Sequence, residues 1–63
     1  MNKLGEAIAY AREEVGISQR ELAEDINCSR AHISDIENGK RKPSNTTLKN
    51  IAYALGLEVD DLV

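Results

Sequence analysis

The chain has 63 residues, a net charge of −3, one cysteine and neither Phe nor Trp. That length gives one domain, residues 1–63, near the lower size at which a chain folds without a metal or disulfide. A lone cysteine makes no internal disulfide, no Cys/His cluster has metal spacing, no apolar run approaches the roughly 20 residues that span a bilayer, and charges throughout Met1–Val15 leave no signal peptide. A reducing, cytoplasmic setting follows, with no membrane role, no metal and no cofactor. The core must come from Leu, Ile, Val and Ala, which favours closely packed helices, and no stretch has strand character.

The first helix is predicted from Asn2, a good N-cap, to Val15, with Gly16 ending it. Leu4, Ile8, Ala11 and Val15 recur at helical spacing and predict one buried face. Gly5 costs helix propensity, and close approach by a neighbouring helix is its expected reason. Tyr10 lies off the stripe and is expected to be half-buried with a wet hydroxyl.

The second helix carries a capping box, Ser18 with Glu21, and a staple between Ile17 and Leu22. Leu22, Ala23 and Ile26 make its apolar stripe. Asn27 stands where the chain must turn, and Asn is the non-glycine residue that best tolerates left-handed backbone. Ser29 caps a third helix at once, Cys28 and Ile33 repeat the staple, Ile33 and Ile36 face inward, and Gly39 closes the helix. Two capped helices with so short a joint cross steeply, which is helix-turn-helix geometry over about residues 18–39. An ordinary helical corner in a small bundle is the alternative.

Pro43 cannot continue a helix and pushes Lys42 to extended backbone. Ser44 then caps a fourth helix with the stripe Leu48, Ile51, Ala52 and Leu55, and Gly56 with Leu57 ends it. The last segment, Glu58–Val63, is a short helical turn in which Asp60 and Asp61 suit the first turn and Val59 and Leu62 supply apolar contact. No linker, repeat or low-complexity run appears.

Catalysis lacks its parts. A nucleophile needs a base and an orienting group, and the chain offers one His, one Cys and no glycine-rich phosphate loop. His32 is expected at the surface, and Cys28 as a small buried hydrophobe. Adjacent acids such as Glu13/Glu14 and Asp60/Asp61 do not face each other on a helix and read as solvated surface. The chain is therefore not read as an enzyme.

Net acidity argues mildly against nucleic acid, but the basic residues are grouped: Arg20 and Arg30 near the starts of the central helices, and Lys40, Arg41 and Lys42 in a row. If the third helix enters a major groove, Arg30, Ala31, Ser34 and Asp35 approach the bases. Arg30 can read a guanine edge or hold a phosphate. Ala31 can touch a thymine methyl. Asp35 can accept from a cytosine amino group, or serve as a surface charge or a partner for an arginine. Phosphate contacts would come from Gln19 and Arg20, and from Asn38, Lys40, Arg41 and Lys42, with Asn45 and Thr46 adding neutral donors.

The pattern resembles the phage-repressor/Cro-type helix-turn-helix family, also called the xenobiotic-response-element family of bacterial regulators. It is carried by Gly5–Glu6 and Arg12, by Gly16-Ile17-Ser18-Gln19-Arg20-Glu21-Leu22-Ala23, by Ile33-Ser34-Asp35-Ile36-Glu37-Asn38-Gly39, by Pro43-Ser44, and by Leu48 through Gly56 to Leu62. The resemblance implies a compact, all-α, five-helix, lambda-repressor-like domain that binds duplex DNA as a two-fold dimer on a near-palindromic operator. It also implies a partly buried ion pair between Arg12 and Glu37, a phosphate contact from Gln19, and base reading by Arg30, Ala31 and Asp35. Asn27 departs from the family's usual glycine, and Asp35 places an acid where neutral or basic residues are commoner. The expected function is transcriptional repression by operator occupancy, from a phage, prophage or mobile element. Antitoxin and restriction-modification controller roles share the fold, and a protein-interaction module that has lost DNA binding is the rival from another class. The dimer surface is expected around Leu57, Val59, Leu62 and Val63, with closure of the core by Leu57 and Leu62 as the alternative.

Overall fold

A computed structural model describes residues 3–63. Five helices follow in order: α1 (Lys3–Val15), α2 (Gln19–Asp25), α3 (Arg30–Glu37), α4 (Asn45–Ala54) and α5 (Val59–Leu62), with no strand among the described residues. Asn2, the expected cap of α1, lies outside the described residues. No described helix is long and apolar enough to cross a membrane.

Three helices begin on a serine whose side chain accepts a backbone N–H three residues on: Ser18 from Glu21, Ser29 from His32 and Ser44 from Thr47. At α2 the Glu21 carboxylate accepts in return from the Ser18 N–H at 2.9 Å, completing the capping box. Helix α2 then ends on Asn27, whose φ of 62° is the left-handed backbone the turn needs. Around it the Cys28 N–H donates to the Ala23 carbonyl (2.9 Å) and the Asn27 N–H to that of Glu24 (3.2 Å). This paired closure satisfies the carbonyls that a helix end leaves open.

Helix α3 packs between α1 and α2, α4 lies against α2, and α5 bridges α1 and α4. Their shared core is Ile8, Leu22, Ala23, Ile33, Ile36, Ile51, Ala52, Leu55 and Leu62, with Leu4, Ala11, Ile17, Ile26 and Cys28 half-buried against it. Each fully buried Ile or Leu contributes about 1.5–3 kcal/mol. Gly5 is where α1 touches α3. A Cβ there would stand 2.5 Å from the Ile36 carbonyl oxygen and 2.6 Å from that of Glu37, distances no side chain tolerates.

Five expectations about burial change. Val15 is 51% exposed, because the last turn of α1 runs past the core that covers Ile8. Tyr10 is 67% exposed rather than half-buried, since it lies on the side of α1 turned away from α3. His32 is half-buried rather than a surface residue, and Cys28 is only half-buried. Leu62 belongs to the core, whereas Val63 beside it is exposed.

Candidate nucleic-acid interface

The interface residues are held from behind by one carboxylate. Glu37 ends α3 with its side chain 6% exposed, and it accepts from Arg12 of α1 through Nε at 2.8 Å and Nη2 at 3.3 Å. Arg12 also donates through Nη1 to the Ile17 carbonyl at 2.8 Å, tying the α1–α2 turn to the same point. The hydrogen bond to Glu37 raises the Arg12 pKa above its ordinary value, outweighing the desolvation that opposes it. Arg12 also lies 3.8 Å from the exposed Glu13, so Glu37 is its principal partner, and breaking this part-buried pair is costly.

Gln19 extends this cluster to the surface. Its Nε2 donates to Glu37 Oε1 at 2.9 Å, and its Oε1 accepts from Arg30 Nη1 at 3.3 Å. Arg30, the first residue of α3, is exposed, as is Ala31 after it. The guanidinium is thus aimed by a side chain that is itself anchored on the buried pair. Position in the sequence did not suggest this link. It arises because the tight turn brings the start of α2 beside both ends of α3.

Further along α3, Ser34 and Asp35 are half-buried, so they present less of themselves than Arg30 and Ala31 do. Ser34 Oγ accepts from Asn38 Nδ2 at 3.3 Å. The Asp35 carboxylate has no arginine partner among the described residues, but its backbone carbonyl accepts from the N–H groups of Lys40 (2.8 Å) and Arg41 (3.2 Å). These bonds fold the basic loop back onto the end of α3. Pro43 is buried at the other end of the loop, and Lys40, Arg41 and Lys42 between them are exposed.

Arg20 is also exposed and pairs with Glu24 one turn on at 3.4 Å. With both side chains mostly in solvent, that pair is worth little and is easily exchanged for another anion. Asn45 and Thr46 open α4, exposed, just after the Ser44 cap. The arrangement sets an exposed helix start, a neighbouring amide and a cationic loop on elements fixed by buried contacts. That combination defines a nucleic-acid-binding helix-turn-helix module.

The helix-turn-helix family profile matches residues 8–62. The chain is 42% identical over 60 residues to the ImmF control region 10 kDa protein of Bacillus phage phi105, covering 95% of this chain and 67% of that protein. To the immunity repressor protein of the same phage it is 40% identical over 60 residues, covering 95% of this chain and 42% of that one. Among solved structures, the restriction-modification controller protein C.AhdI from Aeromonas hydrophila superposes with a TM-score of 0.95 at 29% identity, covering 98% of this chain and 90% of that one. The clp gene regulator ClgR from Corynebacterium glutamicum gives a TM-score of 0.95 at 34% identity, covering 97% and 65%. The chain belongs to the Cro/C1-type helix-turn-helix family of DNA-binding transcriptional regulators. It spans less than half of the immunity repressor and about two thirds of ClgR.

Proposed function

We propose that the chain binds a specific duplex operator through α3 and acts as a repressor by occupying it. The observation that carries this reading is the aimed Arg30 at the exposed start of α3, backed by Gln19 and the buried Glu37. In the complex, Arg30 and Ala31 meet base edges first, and Ser34 and Asp35 follow one turn deeper. Gln19, Arg20, Asn38, Lys40, Arg41, Lys42 and Asn45 grip phosphates on either side. The similarity to a phage immunity repressor favours repression, and a phage or prophage origin suits it.

The active form is a homodimer whose recognition helices lie about 34 Å apart, one turn of DNA, on a near-palindromic site. Its pairing surface is the exposed edge of α4 and α5, where Tyr53 (88% exposed) and Val63 (75%) stand free and Val59 and Leu57 are half-buried. A restriction-modification controller role is the second reading, favoured by the near end-to-end superposition on C.AhdI.

Selection of duplexes from a random library tests the proposal. Enriched inverted repeats, with affinity falling steeply in salt by about 0.9 log units per log unit for each phosphate charge neutralised, are the expected result. Absence of enrichment would sink it and favour a protein-interaction module. A reporter driven through the enriched site then separates repression from controller-type activation.

A further inference from the structure

Helix α1 has a second working side. At about 100° per residue, Gly5, Ile8 and Arg12 share the side turned to α3, Ala7, Tyr10 and Glu14 lie well round from it, and Ala11 falls between the two. That second side, with Ala11 and Val15 at its border, lines a groove of about 290 Å³ together with Leu55, Leu57, Asp61 and Leu62. Ala7 and Ala11 are small enough to leave the depression open, and Tyr10 and Val15 stand 67% and 51% exposed along its edge. Exposed apolar side chains clustered beside a concave surface mark a contact site more often than scattered ones do.

We propose that this groove docks the apolar face of a basic amphipathic helix from another protein. The charge pattern selects that occupant. Glu14 and Asp61 are the charged residues that line the groove, no cation lines it, and the chain as a whole carries −3. Apolar side chains at one-turn spacing on such a helix reach into the depression over α1 and α5, and flanking lysines or arginines meet Glu14 and Asp61. A second copy of this chain suits the groove poorly, since pairing groove on groove brings four carboxylates together with no lining cation between them. None of the groove residues belongs to the proposed DNA interface, and Leu57 is the one residue the groove shares with the proposed pairing edge of α4 and α5.

The probe is a synthetic helical peptide with leucines at one-turn spacing and lysines elsewhere, compared with a twin in which glutamates replace the lysines. Titration of the full chain, followed by amide NMR shifts, is expected to give saturable changes confined to α1 and α5 for the lysine peptide alone. Glu14→Lys combined with Tyr10→Ser is expected to weaken binding about tenfold, both positions being exposed and outside the core. Asp61 also accepts from the Glu58 N–H at 2.9 Å, so Asp61→Asn removes its charge and keeps an acceptor for α5; it is expected to weaken binding as well. Glu24→Lys, the same charge change on α2, should leave affinity unaltered. Four results would overturn the proposal: no saturation, shifts spread over Glu21, Glu24 and Asp25, equal binding of the glutamate twin, or the same shifts produced by self-association without peptide.

Discussion

Gln19 and Glu37 meet at 2.9 Å, the first residue of one helix donating to the last residue of another. Because Arg12 holds the second oxygen of the same carboxylate, α1, α2 and α3 converge on one side chain. Glu37→Ala takes from the half-buried Arg12 its principal partner, leaving Glu13 at 3.8 Å, and frees Gln19 at the same time. The expected loss is about 1.5–3 kcal/mol, a large share of the stability of so small a domain. Urea unfolding of the variant measures it. Glu37→Gln, which keeps the shape and an acceptor, should lose distinctly less. If the Ala variant unfolded at an unchanged midpoint, the pair would be structurally idle.

Gly5→Ala should destabilise although Ala is the better helix former by about 1 kcal/mol. The added methyl meets backbone carbonyl oxygens of Ile36 and Glu37, and backbone cannot swing aside as a side chain can. Overpacking of this kind costs about 1–3 kcal/mol. Thermal unfolding of the single variant decides the sign.

Asn27 tests the turn between α2 and α3. With φ at 62°, Asn27→Ala should cost about 1 kcal/mol, while Asn27→Gly should be neutral or stabilising. Equal effects of the two substitutions in denaturant unfolding would show that the left-handed backbone is not what limits this position.

Arg30→Ala should cost about 1–3 kcal/mol of DNA affinity and relax preference at one base pair. A uniform loss across sequences would assign Arg30 to phosphate. Gln19→Ala removes the acceptor that aims the Arg30 guanidinium, and it should blur the same base position while leaving neighbouring positions sharp. Binding to a panel of single-base operator variants reads both effects.

Burial raises the Cys28 pKa and so holds the thiol protonated. Iodoacetamide should therefore alkylate the folded chain more slowly than the urea-unfolded chain at mildly alkaline pH. The linkage has a definite sign. With the folded pKa above the unfolded one, this contribution to stability is full below the unfolded thiol pKa and is lost as pH rises through the folded value. Cys28→Ala should remove that part of the alkaline dependence.

Much of the fold is written in short-range chemistry. Ser18 with Glu21, Ser29 and Ser44 mark helix starts by residue type and spacing alone, and Gly5 reports a close contact because nothing else excuses a glycine there. Burial at the ends of elements is less legible. Val15 has the right period for the buried stripe, yet period says nothing of whether another element lies beneath the last turn. The interface divides in the same way. Exposure of Arg30 and Ala31 follows from their place after a cap, whereas the half-burial of Ser34 and Asp35 depends on α3 lying between α1 and α2. The Gln19 bridge depends on the crossing angle of two helices, which no local pattern records.

Nearly every helix end described above is closed by residues within a few positions of it. Ser18, Ser29 and Ser44 serve their own first turns, and the turn at Asn27 returns its N–H groups to the carbonyls just behind it. Helical hydrogen bonds and their terminations therefore form before distant segments meet, and little loop entropy is lost ahead of the first favourable contacts. A chain built this way has low contact order and should refold from urea in microseconds to milliseconds. The Arg12–Glu37 pair, spanning 25 residues, then locks the assembly after the helices exist, so its loss should speed unfolding more than it slows folding.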